Sequence, residues 1–234
     1  MNTIKRCFRN KKFVFSLIIL LPMIFIALFG SSIAPHDPLE MHTTNTLAAA
    51  SAHFPMGTGE YGRCIFARLL YGIRPSLTVS LVGTLGAFLI GSFCGLVAGY
   101  IGGKAGNAIM RTVETILCFP AILLAMMVVC LFGAGVQNLT IVVAILYIPH
   151  FARIANSSTI KVKKMEYVEN DISVGQTTPK ILIGTIFRNI FSPLIIQISL
   201  TISSAILLES GLSFLGLGVQ PPEPSWGQMI GDAK

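Results

Sequence analysis

KVKKMEYVENDISVGQTTPKILIGTIFRN, residues Lys161–Asn189, is the one polar interlude long enough to be a structured element between two apolar segments. Met165, Val168 and Ile172 fall at i, i+3 and i+7 and give a short helix a single apolar stripe, with Glu166, Glu169, Asn170 and Asp171 mostly off it. Gly175 supplies a stop that tolerates a left-handed backbone. Thr178 followed by Pro179 predicts a second helix, with threonine as its cap and proline in its first position. The pattern reads helix, glycine turn, helix. In a soluble chain it would suggest DNA binding, but the flanking apolar segments tie the loop to a membrane surface, so nucleic acid is not an expected partner.

Composition sets the class. The chain is 53% hydrophobic and 12% charged, with a mean hydropathy of +0.74, against about 25% charged residues in soluble domains. The expected fold is all-α, a polytopic membrane protein with about five transmembrane helices surrounded by lipid. A net charge of +7 is then topological, because cytoplasmic loops collect lysine and arginine. The cysteines Cys7, Cys64, Cys94, Cys118 and Cys130 are scattered, with no Cys-x-x-Cys and no histidine spacing suited to zinc. They read as small packing residues. Two Asn-x-Ser/Thr sequons, at Asn138 and Asn156, are short enough to arise by chance.

Residues 1–30 read as a cytoplasmic N-terminus and a first span. Lys5, Arg6, Arg9, Lys11 and Lys12 precede an uncharged run from Phe13 to Gly30, which predicts a retained helix rather than a cleaved leader. Residues 31–75 read as an extracytoplasmic loop. It ends in GTGEYGRCIFARLLYGIRPSL, where Ile65, Phe66, Leu69 and Leu70 recur at helical spacing, either as a helix lying on the membrane surface or as a packed loop helix.

Residues 76–210 form the transmembrane core, including the loop 161–189. Ser76 to Tyr100 is uncharged and long enough to cross with tilt. Gly91, Gly95 and Gly99 make a ridge that admits a neighbouring helix, for which packing within the chain is the preferred reading. Ile101 to Glu114 is expected as a short loop. Its GYIGGKAG resembles a phosphate loop superficially, but Ala98 stands where the first glycine should be and Ala105 where the magnesium-holding hydroxyl should be. Neither a cofactor nor a metal is called for. Thr115 to Phe132 is the third span, kinked at Pro120, with Glu114 as an interface anchor at its start.

Leu139 to Ala152, extendable toward Ala155, is the fourth span, where His150 reads as a hydrogen-bonded packing residue. Ile190 to Leu208 is the fifth, with Pro193 in its first turn. Ser199, Thr201, Ser203 and Ser204 along it can bond across helices or line a wet path. Glu209 ends it, either as a functional carboxylate or as a snorkelling interface residue. Residues 211–234 form an extracytoplasmic tail too broken by glycine and proline for a further helix. Of 17 basic residues, 13 fall in segments assigned to the cytoplasm, which supports this orientation.

Four stretches carry a resemblance: GTGEYGRCIFARLLYGIRPSL, GLVAGYIGGKAGNAIMR, EYVENDISVGQTTPKILIGTIFRNI and LLESGLSFLGLGVQPPEPSWGQMI, together covering Gly57 to Ile230. The chain resembles an integral-membrane permease subunit of an ABC importer of the dipeptide, oligopeptide and nickel type. The resemblance implies a coupling helix from Glu166 to Gly175 seated in a groove of a cytosolic ATPase, with Met165, Tyr167, Val168, Glu169 and Ile172 in the contact. It implies that Gly91, Gly95, Gly99, Ser199, Ser203 and Glu209 serve helix packing and the path shared with a second, homologous permease. It implies that an extracytoplasmic substrate-binding protein meets the tail at Leu215, Gly216, Gln220, Pro221, Pro222 and Trp226.

The chain departs from the family pattern in places. Glu169 is followed by Asn170 and Asp171 where the family has two alanines, and Ile172 stands where arginine is common. Gly59 and Cys64 replace aspartates in the outer loop. Family members continue into a sixth helix, so this chain is expected to be a fragment or a shortened subunit.

A secondary transporter would bring internal repeats and midplane charges. A channel would have no need of an amphipathic loop helix with a glycine stop. An intramembrane enzyme would bring a catalytic constellation within the spans, and none is visible. The resemblance implies that ATP hydrolysis resides on a partner chain and that this subunit is non-catalytic. For the substrate, peptide is the first choice and nickel or a metal chelate the second.

Overall fold

The computed structural model describes residues 11–233. Among these the regular structure is helical, joined by one isolated bridge between Thr58 and Cys64. The basic cluster Lys5, Arg6 and Arg9, on which the expected orientation partly rests, lies outside the described residues.

Helix α1 (Lys11–Ile33) is apolar on all sides and nearly all exposed, as a span facing lipid must be. It is tied to the body by Arg74, whose guanidinium donates to the carbonyls of Ala27 and Leu28 at 3.0 and 3.2 Å. Helix α2 (Ile65–Ile101) is 37 residues long. The expected surface helix at Ile65–Leu70 is instead the first part of this span. Pro75 does not interrupt it, although its ring removes one amide donor from the ladder. The loop expected over residues 31–75 therefore ends at Cys64.

Gly102 and Gly103, with φ of 67° and 58°, end α2 and turn the chain into α3 (Gly103–Glu114). The expected loop at Ile101–Glu114 is thus a helix, because Ile109, Met110 and Val113 share a face that packs on Ala98 and Ala152. The third span is also corrected. A 3-10 turn (Thr115–Cys118) follows α3, and α4 (Ala121–Phe132) leaves that axis at 85°. Pro120 causes the break, because the residue before proline is pushed out of the helical region and Phe119 is extended at φ −100°, ψ 135°.

Helix α5 (Val136–Val162) extends well beyond the expected Leu139–Ala152. Helix α6 (Glu166–Ser173) is the predicted short helix, and Gly175 takes φ 79° in the turn after it. Thr177, not Thr178, occupies the cap position of the next helix, its side chain makes no capping bond, and Pro179 lies one place further in than expected. That helix, α7 (Thr178–Phe214), runs unbroken through a π-helical stretch, Ile181–Phe187. The fifth span therefore begins a full helical segment earlier than Ile190, and Pro193 lies in its interior rather than in its first turn.

The tail holds a helix that sequence reasoning excluded, α8 (Trp226–Asp232). Ser225 makes it possible, since its hydroxyl accepts from the Gln228 amide at 3.2 Å, a standard way of satisfying a free helix-start donor. Counting α3 and α4 as one broken span, up to five helical segments among the described residues are long and apolar enough to cross a membrane.

The main seam joins α2 to α5. A Cβ on Gly91 would come within 2.4 Å of the Ile148 carbonyl, on Gly95 within 2.2 Å of that of Ala152, and on Gly99 within 2.8 Å of the Thr159 Cβ. Without side chains there, the two backbones are in contact, the close approach that drives helix association in lipid. Two apolar clusters continue the seam, one around Val79, Leu139 and Val143 and one around Phe151, Ile186 and Ile190.

Candidate coupling helix and neighbouring interaction sites

Helix α6 is held from behind by few contacts. Val168 is 0% exposed, packed in the cluster of Phe151, Ile181 and Ile186. Asp171 accepts from Thr185 Oγ1 at 2.6 Å and from Gln176 Nε2 at 3.1 Å, fixing the helix and its turn to the start of α7. The apolar stripe is therefore split. Val168 is consumed inside the chain and is no free anchor, whereas Met165 and Ile172 remain 47% and 48% exposed. Tyr167 and Val174 are also exposed apolar groups, and Glu166 and Glu169 are exposed in the first turn. Acidic residues there suit the positive end of the helix dipole. Gly175 has open space around its Cβ position, so only its backbone angle requires glycine.

The neighbouring connection is firmer. Lys163 Nζ donates to the Tyr100 carbonyl at 2.6 Å and stands 5.0 Å from the centre of that ring, locking the end of α5 to the end of α2. Arg153 Nε meets Glu114 Oε1 at 3.0 Å, so Glu114 closes α3 onto α5 by an ion pair instead of anchoring the start of a span.

The residues expected along the path are divided. Gly91, Gly95 and Gly99 are filled by α5 of the same chain. Ser199 and Ser203 lie on an exposed face of α7, where their hydroxyls return to the Ile195 and Ser199 carbonyls at 3.4 and 3.2 Å. They do not cross to another helix of this chain. A small cavity of about 290 Å³ forms at the α4 break, lined in part by Phe119, Tyr147, His150 and Ser204. Glu209 is fully buried, which overturns the snorkelling reading. One of its oxygens accepts from Ser213 Oγ at 2.7 Å, and the other has no hydrogen-bond partner among the described residues. Ser213 Oγ in turn accepts from the Val219 amide at 3.4 Å, so the carboxylate steadies the turn that leads into the tail.

That turn exposes Leu215 and Gly216, the latter at φ 76°. Gln220 donates from Nε2 to the Gly216 and Gly218 carbonyls. The Pro221–Pro222 bond is cis. Trp226 Nε1 donates to the Leu69 carbonyl at 3.0 Å, with its ring over Gly72. Arg68, missed in the sequence because it looked like one of several loop cations, is buried and donates to the Pro222 carbonyl at 3.3 Å.

Helix α6 is thus fixed by one valine and one aspartate with its apolar groups outward, on a bundle closed by a glycine seam. Comparison with known proteins gives the family. Residues 87–234 match the family described as binding-protein-dependent transport system inner membrane component, and residues 2–50 match the N-terminal TM domain of oligopeptide transport permease C. A dipeptide transport system permease protein DppC of Alkalihalophilus pseudofirmus is 36% identical over 230 residues, covering 98% of this chain and 76% of the relative. A di/tripeptide transport system permease protein DppC of Pseudomonas aeruginosa is 36% identical over 231 residues, covering 96% and 76%. A glutathione transport system permease protein GsiD of Pectobacterium atrosepticum is 36% identical over 232 residues, covering 98% and 77%. The chain thus spans about three quarters of the length of these relatives, and it belongs to the family of binding-protein-dependent transport system inner membrane components, the permease subunits of ABC importers.

Proposed function

We propose that this permease forms half of a translocation path for short peptides, with a second homologous permease providing the other half. Cytosolic ATP-binding subunits drive it, an extracytoplasmic binding protein delivers the substrate, and the chain itself carries no catalytic activity. The observation that supports coupling is the outward display of Met165, Tyr167, Ile172 and Val174 on a helix pinned at Val168 and Asp171. An amphipathic helix of this kind fits a groove, where its apolar side chains leave water on docking. The substrate reading rests on the peptides named for the three relatives above. Nickel has no comparable support, since no group of three or more His, Cys, Asp or Glu among the described residues is arranged to hold a metal.

In this reading the end of the bundle bearing α6 and the N-terminus face the cytoplasm, and the tail faces outward. The exposed serine face of α7 and the cavity at the α4 break lie toward the second permease. Detergent pull-down of the whole complex tests the coupling. Ile172→Asp should release the ATPase while the permease still co-purifies with its homologue. Retention of ATPase by both Ile172→Asp and Met165→Asp would remove α6 from the contact.

A further inference from the structure

A cavity of about 870 Å³ opens between the loop ahead of α2 and the tail, with Glu60, Tyr61, Arg63, Arg68, Gln228 and Asp232 among its walls. Its volume falls within the ordinary range for small-ligand sites, about 300–1,000 Å³. Two of its polar groups are deeply buried, Arg68 at 7% exposure and Gln228 at 8%. Gln228 Oε1 is a buried acceptor, and Arg63 Nε a buried donor, and neither has a partner among the described residues. Buried polar atoms are ordinarily satisfied, so two unmet groups of opposite kind on one cavity wall point to a ligand that brings both a donor and an acceptor.

Charge sharpens the assignment. Arg68 feels the like charge of Arg63 and the opposite charge of Asp232, and Glu60 adds a second carboxylate to the lining. Arg63 and Arg68 both present planar donors to the cavity, which a ligand carboxylate matches. The two acidic side chains and the Gln228 oxygen supply acceptors for an ammonium. A compact zwitterion satisfies all of them, whereas a simple anion would leave Gln228 Oε1 unmet.

We infer that this cavity is a receiving subsite for a short unblocked peptide, with the peptide carboxylate on Arg63 and Arg68 and its ammonium toward Gln228, Glu60 and Asp232. The inference rests on the peptide reading above and goes beyond it by giving the substrate charged contacts on this chain. Arg68 also holds the Pro222 carbonyl, so an occupant touching its guanidinium touches the strand of tail expected to meet the binding protein.

The test uses the complete transporter in nanodiscs without its binding protein, and alanyl-alanine as probe, followed by saturation-transfer NMR. Binding should weaken about tenfold to a hundredfold when the peptide is amidated at its C-terminus and by a similar factor in Arg63→Gln, the range expected for losing a charged hydrogen bond. N-acetylation and Asp232→Asn should each weaken it as well, and Arg63→Lys should restore part of the loss. Equal binding of alanyl-alanine and its amide overturns the subsite, and this peptide series decides the matter even if Arg63→Gln fails to assemble. Peptide uptake by the intact system, with binding protein, separates the two readings. Uptake unaffected by Arg63→Gln and Asp232→Asn sinks the subsite alone. Failure of the unmodified system to take up peptides sinks the peptide reading as well.

Discussion

The seam between α2 and α5 and the short helix α6 both begin as small stripes at helical spacing, and they end in opposite conditions. At the seam, Gly91, Gly95 and Gly99 let another backbone approach to where a side chain would be, so the stripe is closed inside the chain. On α6, Val168 points in while Met165 and Ile172 stay out. Periodicity says which residues share a face. What the face meets is decided by side-chain size and by how much of the fold lies behind it. Small residues draw in a neighbouring backbone, while large ones on a short helix exceed what a single turn of packing can cover.

The seam is where the contrast breaks most violently. Gly95→Val puts two methyl groups where a Cβ alone already lies 2.2 Å from the Ala152 carbonyl. Backbone cannot yield as a flexible side chain can, so the expected cost is at least about 3 kcal/mol, read as loss of folded protein in detergent by size-exclusion chromatography. Gly184→Ala is the matching control, because nothing lies within 4 Å of its Cβ position and it should leave yield unchanged. If Gly95→Val folds normally, the α2–α5 contact is not the seam described.

Next comes the division within α6. Val168→Asp buries an unpaired carboxylate at a fully enclosed position and should cost several kcal/mol, loosening α6 and raising proteolysis of the loop 161–189. Ile172→Asp changes an exposed position and should leave the permease's thermal midpoint alone while releasing the ATPase. Identical behaviour of the two variants in limited proteolysis would erase the distinction between pinned and displayed residues.

How far this was legible follows from the range of the interactions. The glycine ridge, the α6 boundaries and the left-handed Gly175 are local, since spacing and backbone preference set them. The break at Pro120 was legible as a kink, but its size depends on what α4 packs against, and 85° lies beyond local rules. Helix α3 was hidden because Lys104 and Arg111 made its segment look like a loop, although Ile109, Met110 and Val113 already shared a face. Helix α8 was hidden by the glycines and prolines around it, while the signal that mattered was the capping Ser225. The burial of Glu209, the Asp171–Thr185 bond and the Arg68–Pro222 bond join residues whose meeting no spacing announces.

Asp171 measures how much polar pinning adds to Val168. Asp171→Ala removes the acceptor of both Thr185 Oγ1 and Gln176 Nε2, with an expected cost of about 1–3 kcal/mol. Hydrogen exchange should speed up in α6 and the Gly175 turn but not in α5. Thr185→Val removes the donor to Asp171 Oδ2 and should reproduce most of the effect. Unchanged exchange in both variants would leave Val168 as the sole pin.

The tail is the intermediate case and should give the smallest effect. Trp226 is neither sealed like the seam nor displayed like Ile172. Its ring rests on Gly72 and its Nε1 donates to the Leu69 carbonyl. Trp226→Phe keeps an aromatic ring against Gly72 and deletes only the donor, with an expected cost of about 1 kcal/mol and a fall in Tm of a few degrees. Trp226→Ala also removes the ring and should lower Tm further. If the two substitutions were equal, the ring would add nothing beyond its hydrogen bond, and the tail would be attached through Arg68 and Glu209 instead.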